Sequence, residues 1–287
     1  MIWHYYTDPN SSDGSPPGRA GARTLVLLHG IGMSHAAWKF VIPLLAKKRR
    51  VFAFDIPGFG DTEPLPEGDK PTPAKLAASL KETLEEIKEI DLRQGVDIVG
   101  NSLGGFIALE AAKSGLARNV VAFSPAGLWQ KKPPMHIKPV LLFTRFAVYY
   151  LTPLTHLLLK IPPVRALLMA IPVSIKSWRM SSADAIKFAK VFARADRKAL
   201  KDTGEGLREP FKGGKEISRD VPITIIFGTR DWLITSGGRM CHELPDHTRW
   251  IDMPGSGHVP MLDNPACAAA LILEGTELNG GDDGQRT

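Results

Sequence analysis

The chain has 287 residues, of which 44% are hydrophobic and 23% are charged, and its formal net charge is +6. This balance is typical of a globular protein, and the length fits one large α/β domain or two small ones. The basic residues come in small groups without an aromatic stripe, so we expect no nucleic-acid partner. Cys241 and Cys267 lack metal-ligand spacing, and no signal peptide is recognisable, so we expect reduced thiols in the cytoplasm.

Short apolar runs alternate with helical patterns along the chain. The predicted strands are IWHYYTD (2–8), TLVLLHG (24–30), RVFAFDIPGFG (50–60), VDIVG (96–100), VVAFSP (120–125), ITIIFGTRD (223–231) and TRWIDMPG (248–255). The predicted helices are SHAAWKFVIPLLAKK (34–48), TPAKLAASLKETLEEIKEI (72–90), LGGFIALEAAKSG (103–115) and NPACAAALILEGTEL (264–278). Continuous apolar strands between helices predict an α/β fold with a mostly parallel central sheet flanked by helices.

Residues 128–216 break this alternation. The stretch is rich in Leu, Phe, Tyr, Pro and basic residues, and it predicts short helices separated by Pro139, Pro153, Pro162, Pro163 and Pro172. None of its apolar runs reaches the roughly 18–20 residues of a membrane span. We therefore predict a core domain of residues 1–127 and 217–278 and a helical insertion over it. Peripheral contact of the insertion with a lipid surface stays open.

Two further segments have the composition of exposed chain. Residues 10–22 predict an exposed turn or link, and residues 279–287 predict a disordered tail.

The stretch VGNSLGGF (99–106) places a serine between glycines, after a predicted strand and before a predicted helix. Gly100-Asn101-Ser102-Leu103-Gly104 matches G-x-S-x-G in the context that makes this motif meaningful. A sharp strand-to-helix turn needs small neighbours and lifts the serine hydroxyl to the end of the sheet. We predict that Ser102 is a nucleophile.

A serine hydroxyl needs a base, and the base needs a carboxylate that orients it. His258 lies in a loop after the last predicted strand, and Asp231 ends the strand before it. The order serine, aspartate, histidine is that of an α/β-hydrolase triad. Asp252 and Asp263 are the competing carboxylates. The histidines expected at the surface are His4, His35, His136, His156, His242 and His247.

A second requirement is a pair of backbone donors for an oxyanion. The N–H of Leu103 stands directly after the nucleophile, at a helix N-terminus. The turn HGIGMS (29–34) supplies the second donor, with Ile31 ahead of Gly32. His29 is assigned to that turn as a hydrogen-bonded residue.

The motifs LLHGIG, FDIPGFGDT, VGNSLGG, FGTRDWLI and GSGHVPMLDNP, over residues 24 to 275, resemble the α/β-hydrolase superfamily in their order. The resemblance implies that residues 128–216 are the mobile lid inserted after the sixth strand. Such proteins usually open with two antiparallel strands, and only one is clear in this sequence.

A serine nucleophile, a base and an oxyanion hole carry out acyl transfer, without a metal or an organic cofactor. An aspartate at position 102 would have indicated dehalogenase or epoxide hydrolase chemistry. The apolar residues of the insertion predict a pocket for a small ester with an apolar acyl or alcohol part. The candidate substrate-binding residues are Phe143, Phe146, Trp232 and Val259.

Three alternatives stay open. Asn101 is similar to the nucleophile turn of carbon–carbon bond hydrolases that cleave ring-fission dienones, although Val259 stands where those enzymes usually carry Trp. A cofactor-free perhydrolase would share the same triad. A ligand receptor built on a hydrolase fold is the alternative without catalysis. The oligomeric state does not follow from the sequence.

Overall fold

The computed structural model describes residues 2–8, 24–239 and 242–277. Seven strands form one sheet in the order β1-β3-β2-β4-β5-β6-β7. They are β1 Tyr5–Thr7, β2 Thr24–Leu28, β3 Val51–Phe54, β4 Val96–Asn101, β5 Ala117–Phe123, β6 Ile223–Gly228 and β7 Arg249–Met253. β1 pairs antiparallel with β3, and every other pair is parallel.

Ten α-helices accompany the sheet in the described residues. They are α1 Ile42–Leu45, α2 Pro73–Glu86, α3 Leu103–Lys113, α4 Ile137–Tyr150, α5 Thr152–Leu159, α6 Pro162–Met169, α7 Ser182–Arg194, α8 Arg197–Gly206, α9 Pro260–Asp263 and α10 Pro265–Glu277. This arrangement confirms the predicted fold class.

The strands β2, β3 and β6 are buried at every position because helices cover both faces of the sheet there. In β2, Val26 and Leu28 pack into one cluster with α2 and α3. Leu25 and Leu27, on the opposite face, pack into a second cluster with α1 and α10. All four side chains are fully buried, so the sheet gives the functional loops at its carboxyl edge a rigid base.

The predicted helix over residues 34–48 is two short elements. His35–Trp38 forms a 3₁₀ turn whose N-cap Ser34 accepts the N–H of Ala36, and α1 follows with Pro43 in its first turn. Proline cannot donate to the preceding turn, so a continuous helix ends before it. The helix predicted over residues 72–90 ends at Glu86, and the buried Ile87 caps it in an extended conformation.

Between β5 and β6 the chain holds α4 to α8, and we keep the name helical insertion for the predicted range 128–216. The resemblance placed it after the sixth strand, whereas it follows the fifth of the described strands. Pro153 and Pro162 stand at helix starts, as predicted. The prediction that Pro139 separates two helices was wrong. Pro139 lies in the first turn of α4, where its missing N–H leaves no hydrogen bond unmade. No helix in the described ranges has both the length and the apolar character needed to cross a bilayer.

The helical insertion is held to the core by several polar contacts. Lys39 of the core pairs with Asp184 of α7, and the Val259 N–H donates to the Val173 carbonyl at 2.9 Å. Some predictions fall outside the described residues. They concern the link at 10–22, the tail at 279–287, Cys241 and any second opening strand before β2.

Candidate active site

Ser102 occupies the turn between β4 and α3, at the carboxyl edge of the sheet. Its φ of 54° and ψ of −113° are rare outside glycine, and its N–H donates to the Phe123 carbonyl at 2.9 Å. Gly100 makes room for the turn, because a Cβ there would lie 2.1 Å from the Gly104 carbonyl group. Strain of this kind costs about 1–3 kcal/mol and persists only where the surrounding structure enforces it. The turn thus has the strained geometry of a nucleophile elbow.

Asp231 and His258 come from the loops that follow the adjacent strands β6 and β7. His258 Nδ1 lies 3.1 Å from Asp231 Oδ2, and both side chains are buried. Asp231 Oδ1 accepts the N–H groups of Leu233 and Ile234 at 3.0 and 2.9 Å. An ionised carboxylate only accepts, so Nδ1 of His258 donates, and Nε2 of the neutral ring is left as the acceptor.

The surroundings of Asp231 keep its carboxylate ionised. Burial opposes the charge, but the attraction of His258 when it carries a second proton, and the hydrogen bonds from His258 and the Ile234 N–H, lower the pKa of Asp231 below its usual value. A fixed negative charge at this position stabilises the imidazolium that forms when His258 takes up a proton.

The two competing carboxylates have other partners. Asp252 is exposed on β7, with an oxygen 3.9 Å from Arg239. Asp263 is buried, but it accepts the Ser174 hydroxyl at 2.6 Å and two backbone N–H groups at 2.7 Å. Of the three predicted candidates, Asp231 is the one that the structure brings to the histidine.

Asn101 makes a contact with the histidine loop that sequence reasoning missed. Its Nδ2 donates to the backbone carbonyl of His258 at 3.0 Å and to that of Phe123 at 3.1 Å. The residue before the nucleophile therefore fixes the loop that carries the histidine. Asn101 and His258 are 157 residues apart in the chain, so no local pattern could have signalled this contact.

The turn after β2 holds the second predicted oxyanion donor. Ile31 and Gly32 line the same cavity as Ser102. Gly32 has a φ of 72°, and a Cβ there would lie 2.1 Å from the ring of Phe192 in the helical insertion. The turn can follow this path only because position 32 is glycine. Leu103 is the first residue of α3, so the helix offers no acceptor for its N–H.

His29 acts within this turn, as the sequence analysis assigned it. Its Nδ1 lies 2.7 Å from the Gly30 carbonyl, and its Nε2 accepts the Ile56 N–H at 2.9 Å. Complete burial lowers the pKa of His29, so the ring is neutral and joins the turn to the segment after β3.

A cavity of about 270 Å³ connects these elements. The core contributes Ser102, His258, Leu233 and the turn at 30–33, and the helical insertion contributes residues from α4, α5, α6 and α7. Of the described residues that line it, none is Asp, Glu, Lys or Arg. Phe188 and Phe192, one helical turn apart in α7, belong to the lining, and their i, i+4 spacing was the sequence signal that could have found them.

The four predicted substrate-binding residues have different surroundings. Phe143 lines the cavity. Phe146 and Trp232 are each half exposed, and Val259 is buried in the core cluster that contains α10. These three are absent from the described lining, where Leu233 takes the place predicted for Trp232. The reason is local, since the hydrogen bonds from positions 233 and 234 to Asp231 curl the chain and direct Leu233 inward.

A group of ligating side chains lies beside β3. Nδ1 of His4, Nδ1 of His35 and an oxygen of Asp55 all lie within 4.8 Å of one another, the chemistry of a cation site. Both imidazoles also hydrogen-bond to Asp55 at 3.0–3.1 Å, and the Asp61 N–H donates to it at 3.0 Å. These hydrogen bonds account for the cluster as it stands. His4 is exposed, as expected, and His35 is partly exposed, and both are also partners of the buried Asp55 carboxylate.

The sheet is mostly parallel, a strained serine turn follows one strand, an Asp–His pair follows two others, and a helical segment is inserted between β5 and β6. Together these features define the α/β-hydrolase class. The chain belongs to the alpha/beta hydrolase family, whose model matches residues 25–270.

Curated relatives match the chain in part or over most of its length. The pimeloyl-[acyl-carrier protein] methyl ester esterase of Aeromonas hydrophila is 39% identical over 90 residues, which are 31% of this chain and 32% of that esterase. The match thus spans only about a third of that relative. The (lyso)-N-acylphosphatidylethanolamine lipase of Mus musculus is 24% identical over 302 aligned residues, covering 95% of this chain and 82% of the lipase.

A solved structure shows the same fold. The enol-lactonase from Burkholderia xenovorans LB400 superposes with a TM-score of 0.69 at 18% identity, covering 94% of this chain and 95% of the lactonase. The family match supports a hydrolase, the curated relatives include an esterase and a lipase, and the solved neighbour supports the fold.

Proposed function

We propose that the protein is a serine hydrolase that cleaves carboxylic esters with an apolar acyl or alcohol part. The observation that carries the proposal is the cavity, which joins Ser102 and His258 to a lining without acidic side chains, lysine or arginine among its described residues. A small number of polar groups at one end of an apolar cleft is the usual form of a site for an apolar ligand.

The proposed reaction begins with attack of Ser102 Oγ on the ester carbonyl. Nε2 of His258 takes the hydroxyl proton, and the negative Asp231 stabilises the imidazolium. The backbone N–H groups of Leu103 and Ile31 donate to the oxyanion, and one such donor is worth about 2.7–4 kcal/mol in the transition state. The tetrahedral intermediate collapses, His258 protonates the leaving alcohol, and the acyl group stays on Ser102.

Water completes the cycle by attacking the acyl-enzyme. His258 removes a proton from the water and returns it to Ser102 Oγ as the carboxylic acid leaves. We propose that the helical insertion acts as the lid of this site, because it supplies most of the cavity wall. We place the activity in the cytoplasm, supported by the unpaired thiol of the partly buried Cys267.

The test is hydrolysis of a p-nitrophenyl ester series from acetate to palmitate by the wild type and by Ser102→Ala. We expect the variant to lose activity on every ester, and we expect the wild type to prefer an acyl chain that fills the cavity. Ser114→Ala, at the opposite end of α3, is the matched control and keeps full activity. A folded wild type that hydrolyses none of these esters would refute the proposal and make ring-fission dienones the next substrates to test.

A further inference from the structure

The part of the helical insertion before Asp184 carries basic residues and no acidic ones. Between Glu110 and Asp184 the sequence contains no acidic residue. The same stretch carries basic side chains, and those exposed on the helical insertion are Lys131, Lys132, Lys138, Lys160 and Arg179. Because the acidic residues of the insertion all lie from Asp184 onwards, these cations give the part of the insertion before Asp184 a positive potential.

The helices α4, α5 and α6 also expose large apolar side chains. Leu167 is 77% exposed and Phe143 is 70% exposed. In α4, Phe143, Phe146 and Tyr150 fall at i, i+3 and i+7, which places them along one side of the helix. Leu157 in α5 is likewise exposed. We call these exposed side chains of α4 to α6 the apolar face of the insertion.

The cavity opens onto this face. Phe143, Leu151, Leu154 and Leu168 are each exposed to solvent, and each also lines the cavity that contains Ser102. Apolar side chains from α4 to α6 therefore surround the mouth of the proposed active site. An acyl chain could therefore enter the cavity from an apolar medium without passing exposed carboxylates at the cavity mouth.

We propose that the apolar face of the insertion docks onto the surface of an anionic phospholipid bilayer and that the enzyme takes its ester substrate from that bilayer. This inference rests on the proposed function and narrows its substrate class to lipid esters. Charge complementarity indicates an anionic bilayer as the binding partner of the apolar face. A bilayer with anionic headgroups offers negative charge to the lysines and hydrocarbon to the apolar side chains.

The proposed contact lies along the membrane surface. The apolar side chains enter the boundary between headgroups and acyl chains, while the flanking cations remain with the headgroups. Each Lys or Arg near an anionic surface contributes attraction that salt screens. Binding is therefore expected to require both anionic lipid and low or moderate ionic strength.

The binding test uses Ser102→Ala, so that lipid is not consumed. The protein is sedimented with vesicles of phosphatidylcholine alone and with vesicles in which about one lipid in three is phosphatidylglycerol. We expect sedimentation with the anionic vesicles at least about tenfold stronger than with the neutral ones. High salt is expected to release the bound protein.

Two matched double variants locate the surface. Lys138→Glu with Lys160→Glu acts on the helical insertion, and Lys47→Glu with Lys48→Glu makes the same charge change at exposed positions of the core. We expect the insertion variant to weaken vesicle binding by at least about tenfold and the core variant by less than about threefold. Leu157→Ser with Leu167→Ser is expected to weaken binding without changing charge.

Hydrolysis of a water-soluble butyrate ester, measured with Ser102 intact, separates this inference from the proposed function. If soluble ester is cleaved but anionic vesicles do not bind, docking is refuted and the esterase proposal stands. Equal loss of binding in the core and insertion variants, or a dimer that the leucine variants dissociate, would also refute docking on a bilayer. If vesicles bind as expected but no ester is cleaved, the proposed function fails instead.

Discussion

The carboxyl edge of the sheet carries two buried aspartates that contact histidine, and the difference between them lies in what surrounds each pair. Asp231 contacts His258, which lines the apolar cavity together with Ser102. Asp55 contacts His4 and His35, which are absent from the described lining of that cavity. Both carboxylates also accept backbone N–H groups. A carboxylate–imidazole contact thus becomes a candidate for catalysis only beside a nucleophile and a substrate cavity.

The largest expected effect is on catalysis at the Asp231 pair. Asp231→Asn keeps the shape of the side chain but can hold His258 in the wrong tautomer, because an amide NH₂ would face Nδ1. We expect kcat for a soluble butyrate ester to fall by about 10⁴-fold, with little change in the melting temperature.

Asp252→Asn is the control for this change, since Asp252 is an exposed carboxylate on the neighbouring strand. It is expected to retain wild-type kcat. Equal activity of Asp231→Asn and wild type would show that the pair is structural, like the one at Asp55.

The second effect is on stability at the Asp55 cluster. Burial opposes the charge of Asp55, but the hydrogen bonds from His35 outweigh it and hold the pKa of Asp55 well below its usual range. In Asp55→Asn an amide NH₂ would meet donors from His35. We expect a loss of about 1.5–3 kcal/mol in the free energy of unfolding at pH 7, measured by urea denaturation.

The stability contribution of Asp55 is expected to depend on pH. An aspartate titrates near about pH 3.9 when unfolded, and Asp55 has a lower pKa when folded. Its contribution to stability is therefore present above about pH 4 and is lost as the pH falls toward the folded pKa. The difference between wild type and Asp55→Asn should shrink below about pH 4. A difference that stays constant down to acid pH would contradict the ionised cluster.

The two clusters were not equally predictable from sequence. Ser102 and His258 follow predicted strands and Asp231 ends one, and parallel strands bring their carboxyl ends to one edge of the sheet. Asp55 also follows a strand, but its partners His4 and His35 carry no motif, and only the pairing of β1 with β3 brings His4 to it. The local sequence pattern predicts at which edge of the sheet a residue lies. Which side chains contact one another at that edge depends on strand pairing and on loop conformation.

The cavity wall was the least predictable part of the site. Leucines and aromatics of α4 to α6 have similar sequence surroundings, yet Phe143 lines the cavity while Phe146 does not. The packing of the helices against one another determines which side chains line the cavity. Local periodicity does not predict the angles between packed helices. Trp232 failed as a prediction of a lining residue for the same kind of reason, because backbone hydrogen bonds to Asp231 set the path of its loop.

A third prediction concerns Asn101, which connects the nucleophile turn to the histidine loop. Asn101→Ala removes the donor to the His258 carbonyl and leaves a buried acceptor unsatisfied, at a cost of about 1–3 kcal/mol. Because the loss loosens the histidine, we expect kcat for the butyrate ester to fall about tenfold and KM to change by less than about threefold.

Asn119→Ala is the matched control, since Asn119 is equally buried but donates to Asp97 in the neighbouring strand β4, away from the site. It should lower stability and leave kcat unchanged. If both asparagine variants lower kcat alike, the effect of Asn101 is a general loss of packing and not positioning of the histidine.

The smallest effect is on substrate choice, and it tests the cavity that separates the two aspartate clusters. Ala189 in α7 lines the cavity, so Ala189→Phe fills part of it. We expect the preferred p-nitrophenyl ester to become shorter and kcat/KM for acetate to change by less than about threefold, because large side chains exclude long acyl chains and not the reacting carbonyl. Ala183→Phe, at an exposed position of the same helix, is expected to leave the chain-length profile unchanged. An unaltered profile in Ala189→Phe would mean that the acyl chain does not occupy the cavity. The apolar lining would then no longer support an ester with an apolar part as the substrate.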